Sequence, residues 1–190
     1  MLERIDNSYP ESLVTIVVDD TAYHRVSTER HLELAIASAE GNGLNDVIQV
    51  AQGSYSGHFT FESQEDFDIS IFGGYGQDFT VRTTDPSLTI FENGGLNIAT
   101  NIALNTDTNH VVIDGFTFQN SSSELFEGVG SAVAIVFENG SVTVSNNIFH
   151  NNEIDGKGGA VGIVTESYTD SEINVLDNVF TEEEVVNLFL

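Results

Sequence analysis

Two periodicities divide the chain. From Leu13 to Val18 (LVTIVV) a β-branched apolar run stops at Asp19 and Asp20, which predicts a strand and a turn. Spacing then changes to three and four residues: Leu32, Ala35, Ile36 and Ala39 form one stripe, Thr28 stands where an N-cap belongs, and Gly41-Asn42-Gly43 follows. These features predict one amphipathic helix, placed to cover the open first end of whatever comes next. From Asp46 onward the pattern is short apolar runs punctuated by glycine or asparagine. Strands are predicted over 47–51, 59–62, 69–72, 88–91, 96–99, 102–104, 111–118, 132–137, 142–149, 160–165 and 173–180.

Several of these strands repeat. VVIDGFTFQN from Val111, VTVSNNIFHN from Val142 and INVLDNVFTE from Ile173 align without a gap, so Phe118, Phe149 and Phe180 stand 31 residues apart. SAVAIVF from Ser131 and GAVGIVT from Gly159 form a second repeated strand at a step of 28, and the connection that follows lengthens from four residues (138–141) to seven (166–172), which restores the period. Strands that hold register while their loops compensate are expected to lie on one another, because only the strands touch the neighbouring unit. A sandwich and a barrel also accommodate eleven short strands, but the constant step favours a solenoid. The tail TEEEVVNLFL departs from the repeat: Thr181 with Glu184 reads as a capping box, and Val185, Val186, Phe189 and Leu190 share a helical face. The organisation expected is a strand and capping helix over 1–45, stacked strands over 46–180, and a terminal lid or truncated end over 181–190, all within one structural domain.

Composition narrows the partners. Thirty acidic residues against five basic ones leave a formal charge of −25, which disfavours nucleic acid, anionic membranes and unassisted polyanionic sugars, and suits high salt or abundant divalent cations. With no cysteine, neither a disulfide framework nor a thiolate metal site is available. No run approaches the roughly 20 apolar residues of a membrane helix, and residues 1–10 lack the apolar core of a signal peptide.

DVIQVAQGSYSG (Asp46 to Gly57), IFGGYGQDFTVRTTD (Ile71 to Asp85), IDGFTFQN, SNNIFHNN and GKGGAVGI together make the chain resemble right-handed parallel β-helix repeat proteins of the pectin-lyase-like class, of the bacterial surface and secreted type. The resemblance covers about Leu13 to Phe180. It implies an all-β fold, a three-sheet solenoid with an N-terminal capping helix, and a ladder of asparagines at the corner where Asn147 and Asn178 are equivalent. It further implies a secreted or surface-displayed module, monomeric or part of a longer chain, acting without catalysis as a rigid stalk or as a contact surface for polysaccharide or a cell-surface glycan. A polysaccharide lyase or glycoside hydrolase of the same class is the alternative reading, and a calcium-stiffened adhesin segment a third.

The candidate chemistry is sparse. A lyase needs a base, commonly Arg or Lys, with carboxylates holding calcium against the substrate's acid group. Outside the cap region only Arg82 and Lys157 are basic, so these two, with Asp155, are the catalytic candidates. Calcium, the one cofactor considered, has hard oxygen ligands available at Glu65, Asp66 and Asp68 and again at Glu153 and Asp155, in neither case with EF-hand spacing. Five scattered histidines form no zinc pair, and no GxSxG elbow supports a serine nucleophile.

Overall fold

The computed structural model describes residues 12–63, 67–100, 109–122, 132–137, 139–153, 159–165, 171–182 and 187–189. A strand β1 (Val14–Val18) turns into β2 (Thr21–Val26), and helix α1 (Glu29–Ala39) follows. Then come β3 (Asn45–Ala51), β4 (Gly53–Ser63), β5 (Ile69–Tyr75), a single 3₁₀ turn (Pro86–Leu88), β6 (Thr89–Thr100), β7 (Asn109–Asp114) and β8 (Thr117–Gln119). The remainder is β9 (Val133–Phe137), β10 (Gly140–Ser145), β11 (Ile148–His150), β12 (Val161–Thr165), β13 (Ser171–Leu176), β14 (Val179–Thr181) and β15 (Asn187–Phe189).

The helix forms where its pattern predicts. The Thr28 hydroxyl accepts from the His31 N–H at 3.1 Å, and Leu32, Ala35, Ile36 and Ala39 are buried against β2, β3 and β4. An N-cap of this kind contributes about 1 kcal/mol, but the buried stripe holds so short a helix in place.

The strands assemble into two sheets, and this overturns the expected three-sheet right-handed parallel β-helix, or solenoid. The first sheet runs β1-β2-β3-β5-β7-β10-β13 and contains an antiparallel pair, β1 with β2. The second, β14-β11-β8-β6-β9-β12-β15 with β4 beside β6, is a curled half-barrel of parallel strands. The reason lies in β4 and β6. The sequence pattern breaks each at its glycines, whereas the backbone stays paired through Gly57 and through Gly94-Gly95, with a bulge between Ser56 and His58. Because β6 pairs with β8 through Ile90–Glu92 and with β9 through Leu96–Thr100, strands expected in separate sheets share one. Glycine is required there by contact: a Cβ on Gly94 would lie 1.8 Å from the Gly57 carbonyl oxygen.

The repeat itself sets the pairing. Val111, Val142 and Ile173 are register partners across β7, β10 and β13, and Phe118, Phe149 and Phe180 across β8, β11 and β14. Inward positions alternate along β2, β3, β7 and β10, as where Val142 and Val144 are buried in β10. Phe91, Phe118, Phe149 and Phe180 stack with centroids 5.1, 5.3 and 5.0 Å apart and rings within 11° of parallel. Tyr55 and Phe59 extend this aromatic interior toward α1, and burial, reinforced by nearby Glu29, pushes the Tyr55 hydroxyl well above its ordinary 10.0.

The tail also differs from expectation. Asn187–Phe189 is a strand paired parallel with β12, where the sequence pattern predicts a helical face. The free edge of β12 offers hydrogen bonds to three residues, too few to gain from an isolated helical turn. Glu184, Val185, Val186 and Leu190, like the strand expected at 102–104, lie outside the described residues.

Candidate functional site

Arg82, the catalytic candidate within the described residues, is held inside a corner. Its Nε donates to the Gly73 carbonyl at 2.9 Å, and its Nη2 donates to the Asp114 carbonyl at 3.1 Å and to the Asp114 carboxylate. The guanidinium lies 4.8 Å from the Phe72 ring centroid, a cation–π contact. Asp114 also accepts from the Ser145 hydroxyl at 2.7 Å. Five donors in a fixed fork suit this role, and a guanidinium occupied by two carbonyls, a carboxylate and a ring is a brace between β5 and β7. The Gly-Gly pair of the turn permits it, since a Cβ on Gly73 would meet the Gly115 carbonyl at 2.2 Å. The sequence offered one signal for this partnership: Asp114 interrupts a row otherwise filled by Ser145 and Leu176.

The calcium candidates do not converge among the described residues. Asp68 accepts from the His110 N–H at 2.9 Å while its own N–H donates to the Asn45 side chain at 3.0 Å, which ties β3, β5 and β7. Glu153 is exposed, and its N–H donates to the Ser121 carbonyl at 2.8 Å. Glu65, Asp66, Asp155 and Lys157 lie outside the described residues. Among the described residues, no three His, Asp or Glu side chains form a group able to hold a metal ion.

The expected asparagine ladder is present at the corner. Asn147 Oδ1 accepts from the Phe116 N–H at 3.0 Å, Asn178 Oδ1 accepts from the Asn147 N–H at 2.9 Å, and each amide nitrogen donates back to a strand carbonyl, Ile113 at 3.2 Å and Val144 at 2.7 Å. Asn152 makes one more such contact, accepting from the Ser121 N–H at 3.1 Å and donating to the Phe118 carbonyl at 3.0 Å. Corner backbone groups that no strand can satisfy are thereby paired.

Two further constellations escaped the sequence reading. At the sheet's first edge the Thr15 hydroxyl lies 2.9 Å from His24 Nδ1, His24 Nε2 lies 2.7 Å from Asp46 Oδ1, and Asn42 Nδ2 donates to the same oxygen at 2.8 Å. His24 and Asp46 are buried, and the chain cross-links β1, β2, β3 and the turn after α1. Alternation carries the signal, because His24 and Asp46 fall on the inward positions of TAYHRV and NDVIQV. Beside α1, Glu33, Glu40, His58 and Thr60 rim an open groove of about 200 Å³ floored by Ile36 and Phe59. Its carboxylates are engaged, Glu33 by Arg30 at 2.8 Å and Glu40 by the Glu62 N–H at 3.1 Å.

A polar row runs along the second sheet. Glu92, Gln119, His150 and Thr181 are register partners on successive parallel strands, all on its outward face. Gln119 and Asn120 both donate to the Glu92 carboxylate, the latter at 2.8 Å, and hold it below its ordinary value; Asn151 Nδ2 donates to Asn120 Oδ1 at 2.8 Å, and His150 Nδ1 lies 3.0 Å from the Thr181 hydroxyl. Asn120, Asn151 and Glu182, just after β8, β11 and β14, and Asn93, at the bend within β6, all adopt positive φ, so the backbone changes direction at the same point of the row on each strand. Amide, imidazole, hydroxyl and carboxylate groups therefore repeat at the interstrand spacing of about 4.8 Å.

Compared with known proteins, the chain matches no family model, no curated protein and no solved structure. No helix among the described residues is long and apolar enough to cross a membrane.

Proposed function

We propose that the chain is a non-catalytic module of a secreted or cell-surface protein and serves as a rigid contact surface for a polysaccharide or cell-surface glycan. The observation that carries this reading is the outward row of Glu92, Gln119, His150 and Thr181 with Asn120 and Asn151 beside it. Side chains with both donors and acceptors, pre-positioned by a hydrogen-bonded sheet, meet the hydroxyls of a sugar without first losing their own conformational freedom. The charge of −25 favours a neutral glycan over an acidic one. Arg82, engaged in the corner brace, supports binding over β-elimination.

The test is a calorimetric screen of neutral and acidic polysaccharides, run alongside detection of new reducing ends and unsaturated products. Binding to a neutral glycan that weakens in Gln119→Ala and Asn151→Ala, with no product formed, is expected. New reducing ends or unsaturated products would establish the hydrolase or lyase reading instead, and binding indifferent to both substitutions would remove the row from the site.

A further inference from the structure

The few basic residues of this acidic chain differ in what holds them. Arg30 pairs with Glu33 and Arg82 with Asp114, whereas Arg25 makes neither a hydrogen bond nor an ion pair among the described residues. Arg25 belongs to a row that crosses the outer face of the first sheet: Arg25, Gln49, Phe72 and Asp114 are register partners on β2, β3, β5 and β7. The Arg82 brace fills the half of that row formed by Phe72 and Asp114. In the other half the Arg25 Nε is buried without a partner, the two terminal nitrogens of its guanidinium reach solvent, and the neighbouring Gln49 side chain makes no hydrogen bond among the described residues. An N–H that has lost water without gaining an acceptor leaves the guanidinium charge poorly compensated. Beside it stands an aromatic wall. Phe79 lies against the guanidinium, 5.8 Å from Arg25 Cζ to the ring centroid, and the Tyr75 ring is 6.2 Å from that of Phe79. The Phe79 backbone has φ 57°, where a bulky side chain is strained. Its turn holds it there: the Gly76 N–H donates to the Val81 carbonyl at 3.0 Å, the Phe79 N–H to the Gly76 carbonyl at 2.9 Å, and Gln77 Nε2 to the Gln52 carbonyl at 3.0 Å.

We infer that Arg25 and Gln49 form a binding site for a single carboxylate carried on a flat apolar body, with Phe79 and Tyr75 as its wall. The two terminal guanidinium nitrogens present parallel N–H groups that match the two oxygens of a carboxylate, and the Gln49 amide adds a further donor. Aromatic rings beside these donors favour a flat organic acid over an inorganic anion. The occupant carries one charge only. A polyanion meets the field of the whole chain, whereas one carboxylate meets chiefly the guanidinium it touches, because exposed charges farther off than about 8 Å are largely screened at physiological ionic strength. The site lies on the first sheet, apart from the Glu92 row on the second, and does not rest on the glycan reading.

Titration with benzoate tests it, followed in proton–nitrogen correlation NMR spectra at the Arg25 Nε–H and at the backbone amides of Gln49 and Phe79. Benzamide serves as the neutral counterpart, acetate as the acid without a ring and sulfate as the inorganic anion. Benzoate should give saturable shifts at all three groups, acetate and sulfate weaker ones, and benzamide none. Binding should weaken about tenfold or more in Arg25→Gln, and substantially in Arg25→Lys, which keeps the charge but loses the fork. Phe79→Asn, suited to the same backbone, should keep the parent's circular dichroism and remove the advantage of benzoate over acetate. The absence of a saturable shift, an equal response to benzamide or sulfate, or benzoate binding unchanged in Arg25→Gln would overturn the inference.

Discussion

Replacing Phe149 by alanine removes the middle ring of the column. Phe149 is fully buried and lies 5.3 Å from Phe118 at 10° and 5.0 Å from Phe180 at 7°. Truncating a core phenylalanine costs about 3–5 kcal/mol, within which the two stacked pairs account for about 0.5–1.5 kcal/mol each. The comparison with Phe180→Ala is the sharper test. That ring is 36% exposed, has one stacked neighbour and leaves no enclosed cavity, so its loss costs about 1–2 kcal/mol. Urea titrations followed by circular dichroism should rank Phe149→Ala well below Phe180→Ala in stability, and the Phe118→Ala and Phe149→Ala double-mutant cycle should return a coupling of about 0.5–1.5 kcal/mol. In a chain of 190 residues, a 4 kcal/mol loss lowers Tm by about 8–16 °C. Equal costs for Phe149→Ala and Phe180→Ala, or additive effects at 118 and 149, would refute a continuous column.

Asn147→Ala strands the Phe116 N–H and the Ile113 carbonyl at a buried corner, each at about 1–3 kcal/mol, and should cost more in thermal melts than Asn178→Ala, which strands the Asn147 N–H and the Val144 carbonyl where a half-buried side chain leaves room for water; the reverse order would mean that burial does not set the cost of the corner amides. Gly94→Ala must push the chain away from Gly57, so loss of cooperative unfolding or a stability drop of more than about 2 kcal/mol is expected, and a neutral outcome would mean that β4 and β6 separate freely. The Glu92 carboxyl is held below its ordinary 4.5 by hydrogen bonds from Gln119 and then Asn120. A carboxyl lowered by folding favours the folded state above that value, and the advantage disappears as pH falls through the folded value. Melts across pH should therefore show Glu92→Gln less stable than the parent at pH 7, with the gap closing in acid below pH 4.5; a gap constant with pH would discard the interaction.

The strand register, the helix and its cap and the phenylalanine column were legible in the sequence by itself, and the asparagine corner was implied by the resemblance. Each depends on residues whose spacing is dictated by local geometry: 31 residues between copies, two between inward strand positions, three and four along the helix stripe. Tertiary structure decided how many sheets those strands form, because a glycine reads equally as a break or as a bend, and only the approach of Gly94 to the Gly57 carbonyl keeps β4 and β6 paired through it. It also decided that Arg82 braces a corner, since Asp114 lies 32 residues away and comes within reach only when β5 and β7 pair, and that the tail ends in a strand, since a helical pattern of a few residues yields to an available sheet edge. Spacing determines what a neighbour on the same strand or helix will be. Contacts made at a distance along the chain depend on which edges remain free, and that is known only once the sheets have formed.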